Sequence, residues 1–128
     1  MNADEVELKF RRGLEQFNHG EFFEAHETWE EIWLASAEPE KTFLQGIIQV
    51  SAAFHHYSRS NHKGACSLME AGLNKLDKFP SSHRGCEIGP LRDSVRLWIE
   101  ALSSGRDPGR TKIPRIARGA QGTMDERD

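Results

Sequence analysis

Residues 17–33 read FNHGEFFEAHETWEEIW and hold the end of one helix, a turn and most of a second helix. Gly20 suits the left-handed backbone position that follows a helix end. Beyond it, a helix is predicted from about Glu21 to Ala35, since apolar side chains recur there at helical spacing. That face consists of Phe22, Ala25, Trp29, Ile32 and Trp33. The stretch therefore predicts two amphipathic helices that meet near Gly20.

The rest of the chain extends this helical pattern and contains no convincing strand. Upstream, Asn2 and Glu5 fit a capping box that opens the first helix. Downstream, helices are predicted over about residues 40–58, 61–80 and 90–102, with a polar loop at 81–89. The sequence thus predicts an all-α fold, a small compact bundle of about five helices.

The C-terminal part of the chain differs in composition from the rest. Residues 1–102 carry five more acidic than basic residues, whereas residues 103–128 carry two more basic than acidic ones and few large apolar side chains. We predict a helical domain over residues 1–103 and a disordered basic tail over 104–128. The short island at residues 112–116, KIPRI, leaves alternatives open, because it could pack on the body or bind an anionic partner.

Composition excludes several classes of protein. No apolar run approaches the roughly 20 residues that span a bilayer, so no membrane association is expected. The acidic N-terminus lacks the features of a signal peptide, and a cytoplasmic location is the expectation. Cys66 and Cys86 cannot form a disulfide scaffold, and neither belongs to a CxxC pair. The acidic body argues against nucleic-acid binding.

Polar residues on the third helix give the first functional indication. Gln45, Gln49, Ala52 and His56 fall within one narrow arc, while apolar residues dominate elsewhere on this helix. The arc is either an exposed strip or a polar seam that faces another helix. A buried seam would have to satisfy its hydrogen bonds internally.

The second helix could supply the facing surface, because Phe23, His26, Glu27 and Glu30 form an arc beside its apolar face. If the two arcs meet, one buried site could contain His26, Glu27, Glu30, Gln45, Gln49 and His56. The candidate metal ligands are His26, His56 and Glu24, and imidazole and carboxylate suit Zn, Mn or Fe. Glu27 and Glu30 are the candidate catalytic residues, while Gln45, Gln49 and Trp29 are the candidates for substrate binding, although a core position is favoured for Trp29.

Two known metal-binding motifs are absent from the sequence, which weakens the metal hypothesis. The segment from His26 to Glu30 reads HExxE rather than HExxH, and the chain contains no ExxH, the repeated motif of di-iron bundles. The remaining histidines are predicted to lie on loops, helix ends or flanks without partners: His19, His55, His62 and His83.

Four sequence blocks carry a resemblance to a known family. They are residues 17–33, FLQGIIQ at 43–49, His56 followed by NHKGA at 61–65, and GLNKL at 72–76. Together they resemble the domain of unknown function 309, over about residues 17–79. One departure is Ser60, where the family usually has glycine.

The resemblance implies an all-helical bundle, and members of the family are often labelled metal-dependent hydrolases by inference. By position, it implies functional roles for seven residues: Glu24, His26, Glu27, Glu30, Gln45, Gln49 and His56.

Two hypotheses of function follow from these residues. The first is a hydrolase with one divalent metal, whose bound water would lose a proton near neutral pH. The second is a non-catalytic helical module that binds a small molecule or a protein partner or assembles into a homo-oligomer, with the polar seam as a structural hydrogen-bond network. A metal-free pocket for a small molecule is a third, minor alternative.

Overall fold

A computed structural model describes residues 1–106, 108 and 111–119 of the chain. Five helices follow one another: α1 (Ala3–Asn18), α2 (Phe22–Trp33), α3 (Glu40–Ser58), α4 (His62–Leu76) and α5 (Ile88–Ser103). The prediction of an all-α bundle of about five helices is confirmed. Among the described residues, every helix is too short or too polar to cross a membrane.

A two-stranded hairpin lies where only a polar loop was predicted. Strands β1 (Ser82–His83) and β2 (Cys86–Glu87) pair in antiparallel fashion. Arg84 and Gly85 form the two-residue turn between them, with φ angles of 52° and 74°. Positive φ at both turn positions matches the right-handed twist of a hairpin. Each strand has only two residues, which is too short to show the alternation of apolar and polar residues that predicts a strand.

The capping box predicted at the start of α1 is present. The Asn2 side chain accepts a hydrogen bond from the Glu5 amide at 2.8 Å, and the Glu5 carboxylate accepts one from the Asn2 amide at 2.8 Å. Asn61 likewise accepts a hydrogen bond from the Gly64 amide at the start of α4. Ser60 precedes it with a left-handed φ of 64°, the conformation that glycine adopts most easily.

Helix α3 lies at the centre of the bundle and packs against α2 and α4. Its contact with α4 is close, because a Cβ at Gly72 would lie 2.9 Å from the Gly46 carbonyl oxygen and 2.9 Å from a Val50 methyl carbon. Helix α1 covers α2, and Phe10, Phe17 and other aromatic side chains fill the space between them. This arrangement leaves one edge of α2 beside α3, where the candidate site lies.

Residues 111–119 pack against the body, which is one of the alternatives left open for the island at residues 112–116 and differs from the disordered tail predicted for this segment. Ile116 is only 1% exposed, and its amide and carbonyl pair with the Asn18 side chain at 2.7 and 3.0 Å. The Lys112 carbonyl accepts a hydrogen bond from the Trp98 indole at 2.8 Å. Residues 107, 109, 110 and 120–128 of the predicted tail lie outside the described residues.

Candidate functional site

A cleft of about 240 Å³ lies between α2 and α3, with α4 at one side. We call it the α2–α3 cleft. It is lined by His26, Glu30, Trp33, Gln45, Ile48, Gln49, Ala52 and Leu68. The structure therefore brings together four of the six residues of the predicted site, namely His26, Glu30, Gln45 and Gln49.

Helix α2 contributes one polar edge of the cleft. His26, Glu30 and Trp33 are related by i, i+4 and i+7 spacing, so they lie on one face. The Nε2 atom of His26 is 3.5 Å from a carboxylate oxygen of Glu30, and the two side chains are 23% and 53% exposed. The other ring nitrogen of His26, Nδ1, lies 3.3 Å from the Phe23 carbonyl oxygen. The pair thus forms an accessible acid–base edge.

Helix α3 contributes the facing amides. Gln45, Gln49 and Ala52 share a face by the same spacing. Lys75 reaches over from α4 and donates a hydrogen bond from Nζ to Oε1 of Gln49, at 3.0 Å. Because an ammonium group can only donate, this contact fixes the orientation of the Gln49 amide and leaves its NH₂ group as a donor.

Trp33, which lines the cleft, carries an unpaired donor. Its Nε1 atom is buried and has no hydrogen-bond partner among the described residues. The other two tryptophans are satisfied, since Trp29 donates to the Phe10 carbonyl at 3.1 Å and Trp98 to that of Lys112 at 2.8 Å. Buried indole N–H groups usually find an acceptor. Trp33 is therefore the exception among the three tryptophans.

The predicted site is incomplete, because His56 lines a different cleft with Phe23, His55, Arg59 and Asn61. His56 shares an angular arc with Gln45, but eleven residues of helix separate the two positions by about 16 Å along the axis. Its Nδ1 atom accepts a hydrogen bond from the Asn61 amide at 3.0 Å.

Two further candidates, Glu24 and Glu27, are exposed on α2 and do not line the α2–α3 cleft. The predicted metal ligands, His26, His56 and Glu24, are therefore not assembled around one point. Within the ranges that the structure describes, no three His, Cys, Asp or Glu side chains come together as a metal site. Because structural and catalytic zinc sites use at least three protein ligands, the residues as placed do not fit a zinc site.

Trp29 lies in the core and not at a binding surface, which corrects its assignment as a substrate-binding residue. Its side chain is fully buried, and its ring packs against Phe10 and Phe17. Trp29 lies on the apolar side of α2, which faces the core. Trp33, four residues further along the helix, lies at the edge of that side and lines the cleft.

The cysteines are poor candidates for nucleophilic chemistry. Burial raises the pKa of the Cys86 thiol to about 11, despite the opposing charges of Arg118 and Arg84. Burial also raises the pKa of the Cys66 thiol. Both thiols are therefore protonated at neutral pH, and the thiolate is the reactive form.

His83 has partners that its position in the sequence did not reveal. Its Nε2–H group donates to the Glu40 carboxylate at 2.7 Å, and its ring packs between Phe43 and Phe79. Arg84 also donates to Glu40, at 3.4 Å. The contacts span more than 40 residues of sequence, so no local motif marks them. They attach the hairpin to the start of α3.

Glu40→Gln is expected to lower the free energy of unfolding by about 1–2 kcal/mol, because two charged or polar donors lose their carboxylate partner. Urea unfolding at pH 7 would measure the change. Glu31→Gln is the matched control, since Glu31 pairs with Lys9 at 2.9 Å but its side chain is 56% exposed. Such surface pairs contribute little, so the control should shift by less than about 0.5 kcal/mol. Equal changes in both variants would contradict the attachment role of Glu40.

The comparisons with known proteins agree with the resemblance described above. The family model described as "Domain of unknown function (DUF309)" matches residues 10–68, somewhat earlier in the chain than the predicted segment. An uncharacterized protein of Aquifex aeolicus (strain VF5) is 30% identical over 93 residues, which covers 72% of this chain and 28% of that protein. The uncharacterized protein YpuF of Bacillus subtilis (strain 168) is 34% identical over 93 residues, which covers 66% of this chain and 52% of YpuF.

The chain thus spans about half, or less, of the length of these two relatives. All the residues that line the α2–α3 cleft, from His26 to Leu68, fall inside the matched segment, whereas the hairpin and α5 lie beyond it. Residues 10–68 of this chain thus match the family described as a domain of unknown function, DUF309.

Proposed function

We propose that this chain binds a small organic molecule in the α2–α3 cleft without a metal ion. The observation that carries the proposal is a cleft of about 240 Å³ that collects polar side chains from both helices, namely His26 and Glu30 from α2 and Gln45 and Gln49 from α3.

The lining of the cleft supports the same function. One wall is apolar and consists of Ile48, Ala52 and Leu68, while the amides of Gln45 and Gln49 lie nearby. Ligand sites typically combine an apolar wall with a few polar groups that orient the ligand. A volume of about 240 Å³ has room for a compact molecule, because it equals roughly eight water-sized groups.

The alternative of a structural hydrogen-bond network is less well supported. A network that fixed the register of α2 against α3 would join polar residues across the cleft. Instead, His26 contacts Glu30 on its own helix, and Gln49 is bonded to Lys75 on α4. Among the described residues, the cleft's polar groups make no hydrogen bond from α2 to α3. They are therefore available to a ligand.

A ¹H–¹⁵N spectrum of the full chain tests the proposal, because each of the three tryptophans gives its own indole signal. Trp33→Phe assigns the signal of interest. We expect at least one compound in a library of small acids, amides, amines and alcohols to shift the Trp33 signal while those of Trp29 and Trp98 stay in place. If no compound moves it, or if all three signals always move together, the proposal is wrong.

The same spectra separate this proposal from metal-dependent hydrolysis. Zn²⁺ or Mn²⁺ alone should cause no saturable one-to-one change at His26. A stoichiometric Zn²⁺ complex that is lost in His26→Ala but kept in His62→Ala would favour the metal site and contradict a metal-free cleft.

A further inference from the structure

We infer that a second cleft, at the C-terminal end of α3, binds a small aryl phosphate, that is, a phosphate group attached to an aromatic ring. The cleft has a volume of about 510 Å³ and is lined by Phe23, His55, His56, Arg59 and Asn61. We call it the α3-end cleft. It shares no lining residue with the α2–α3 cleft, so this inference does not depend on the function proposed above.

Arg59 supplies the positive charge of the α3-end cleft. It directly follows α3, is exposed, and takes part in no ion pair within the described part of the chain. The acidic neighbours of Phe23 on α2, Glu24 and Glu27, do not line the cleft. A guanidinium group matches two oxygens of an anion with its planar fork of N–H groups. Arg59 can therefore bind an anion without first losing an acidic partner.

Hydrogen bonds fix His56 as a second donor. The side-chain oxygen of Asn61 accepts from the Gly64 amide at 3.0 Å, and its NH₂ group donates to Nδ1 of His56 at 3.0 Å. The proton of the neutral His56 ring is therefore on Nε2. This N–H group has no acceptor among the described residues, where the one buried and unpaired side-chain nitrogen or oxygen is Nε1 of Trp33. Nε2 of His56 is thus accessible to a ligand.

The number of donors favours a phosphate over a carboxylate. His55 also lines the cleft, and its ring has no hydrogen-bond partner among the described residues, so donors come from three side chains: His55, His56 and Arg59. A phosphate monoester offers three acceptor oxygens and a charge of about −1.5 to −2 at pH 7. Asn61 is the N-cap of α4, so the positive end of that helix dipole lies beside the cleft and offsets the negative end of α3.

Phe23 favours an aromatic ring on the ligand. The residue is 43% exposed although its side chain is large and apolar. The centre of its ring lies 5.1 Å from that of His55 and 5.5 Å from that of His26, and these contacts hold it at the edge of the cleft. A ligand ring packed on the exposed part of Phe23 would remove apolar surface of both rings from water.

Four compounds separate the contribution of the phosphate from that of the ring: phenyl phosphate, methyl phosphate, benzoate and benzyl alcohol. Each is titrated into the full chain at pH 7, and the backbone amide signals of Arg59 and Asn61 are followed beside the Trp33 indole signal. We expect phenyl phosphate to bind about tenfold more tightly than each of the other three. Benzoate or methyl phosphate that binds as tightly would overturn the inference. So would a phenyl phosphate complex that shifts the Trp33 signal instead of those of Arg59 and Asn61.

Two variants test the named contacts. Arg59→Gln should weaken binding of phenyl phosphate about tenfold, because it removes the charge and the paired donors. Arg12→Gln is the matched control, since Arg12 is an exposed arginine of α1 that does not line the cleft, and its affinity should stay within about twofold. Phe23→Leu should reduce the preference for phenyl over methyl phosphate to about twofold. The indole signals of Trp29 and Trp98 report whether each variant is folded.

The variants also define the results that contradict the inference. A phenyl phosphate complex that Arg59→Gln weakens and Arg12→Gln does not weaken supports it. Equal losses in the two arginine variants would show a general charge effect and overturn it. An unchanged preference for phenyl phosphate in Phe23→Leu, or the absence of saturable binding in the original chain, would overturn it as well.

Discussion

Gly13→Ala is expected to lower the free energy of unfolding by about 3 kcal/mol, or to prevent folding. Gly13 lies in the middle of α1 and is buried against α2. A Cβ at this position would lie 2.1 Å from Nε1 of Trp29 and 2.5 Å from two of its ring carbons. The ring cannot easily move, because Trp29 is fully buried and its indole is bonded to the Phe10 carbonyl. Urea and thermal unfolding would measure the loss.

A loss of stability would be informative, because helix propensity alone predicts that Gly13→Ala stabilises the protein. In an exposed helix, alanine is about 1 kcal/mol more favourable than glycine. A Gly13→Ala chain that is as stable as the original would show that α1 and α2 are not in close contact here. Arg12→Ala, one residue away on the exposed side of α1, is the control and should change stability by less than about 0.5 kcal/mol.

A double variant identifies the source of the loss. Trp29→Phe removes the indole nitrogen that the new methyl group would strike. If the clash is the cause, Gly13→Ala combined with Trp29→Phe should cost less than the sum of the single changes. Additive losses would place the effect of Gly13→Ala elsewhere, for example in the conformation of α1.

The helices could be predicted because their signals are local. Asn2 and Glu5, three residues apart, define the start of α1, and Asn61 defines the start of α4. The hairpin and the packed segment depend instead on distant partners. Asn18 and Ile116 are 98 residues apart in sequence, and no pattern within a short window could indicate their pairing.

Part of the candidate site could also be predicted, because helical spacing is a local signal. Helical spacing correctly placed His26 with Glu30, and Gln45 with Gln49, around one cleft. Helical spacing misplaced His56, because two residues on the same side of a helix can lie far apart along its axis. It also gave no indication of Lys75, which reaches Gln49 from another helix, or of the unpaired indole of Trp33. Such features exist only after α2, α3 and α4 have packed.

Ile116→Ala is expected to lower the free energy of unfolding by about 2–4 kcal/mol, since it removes three methyl or methylene groups from a packed position. The residue lies in the segment for which composition predicted disorder, yet only 1% of its surface is exposed. Its backbone is held by Asn18, so the site cannot readily collapse around the cavity. Chemical unfolding of the full chain would measure the loss.

Ile113→Ala provides a matched control three residues away. Ile113 has the same side chain but is 48% exposed, so its truncation should cost less than about 0.5 kcal/mol. A solvated tail would make both changes neutral, whereas the packed segment makes only the change at Ile116 costly. Equal stabilities of the two variants would therefore contradict the packing of residues 111–119. A large difference would make this basic segment part of the folded domain, since its isoleucine would then contribute to the same cooperative unfolding as α1 and α5.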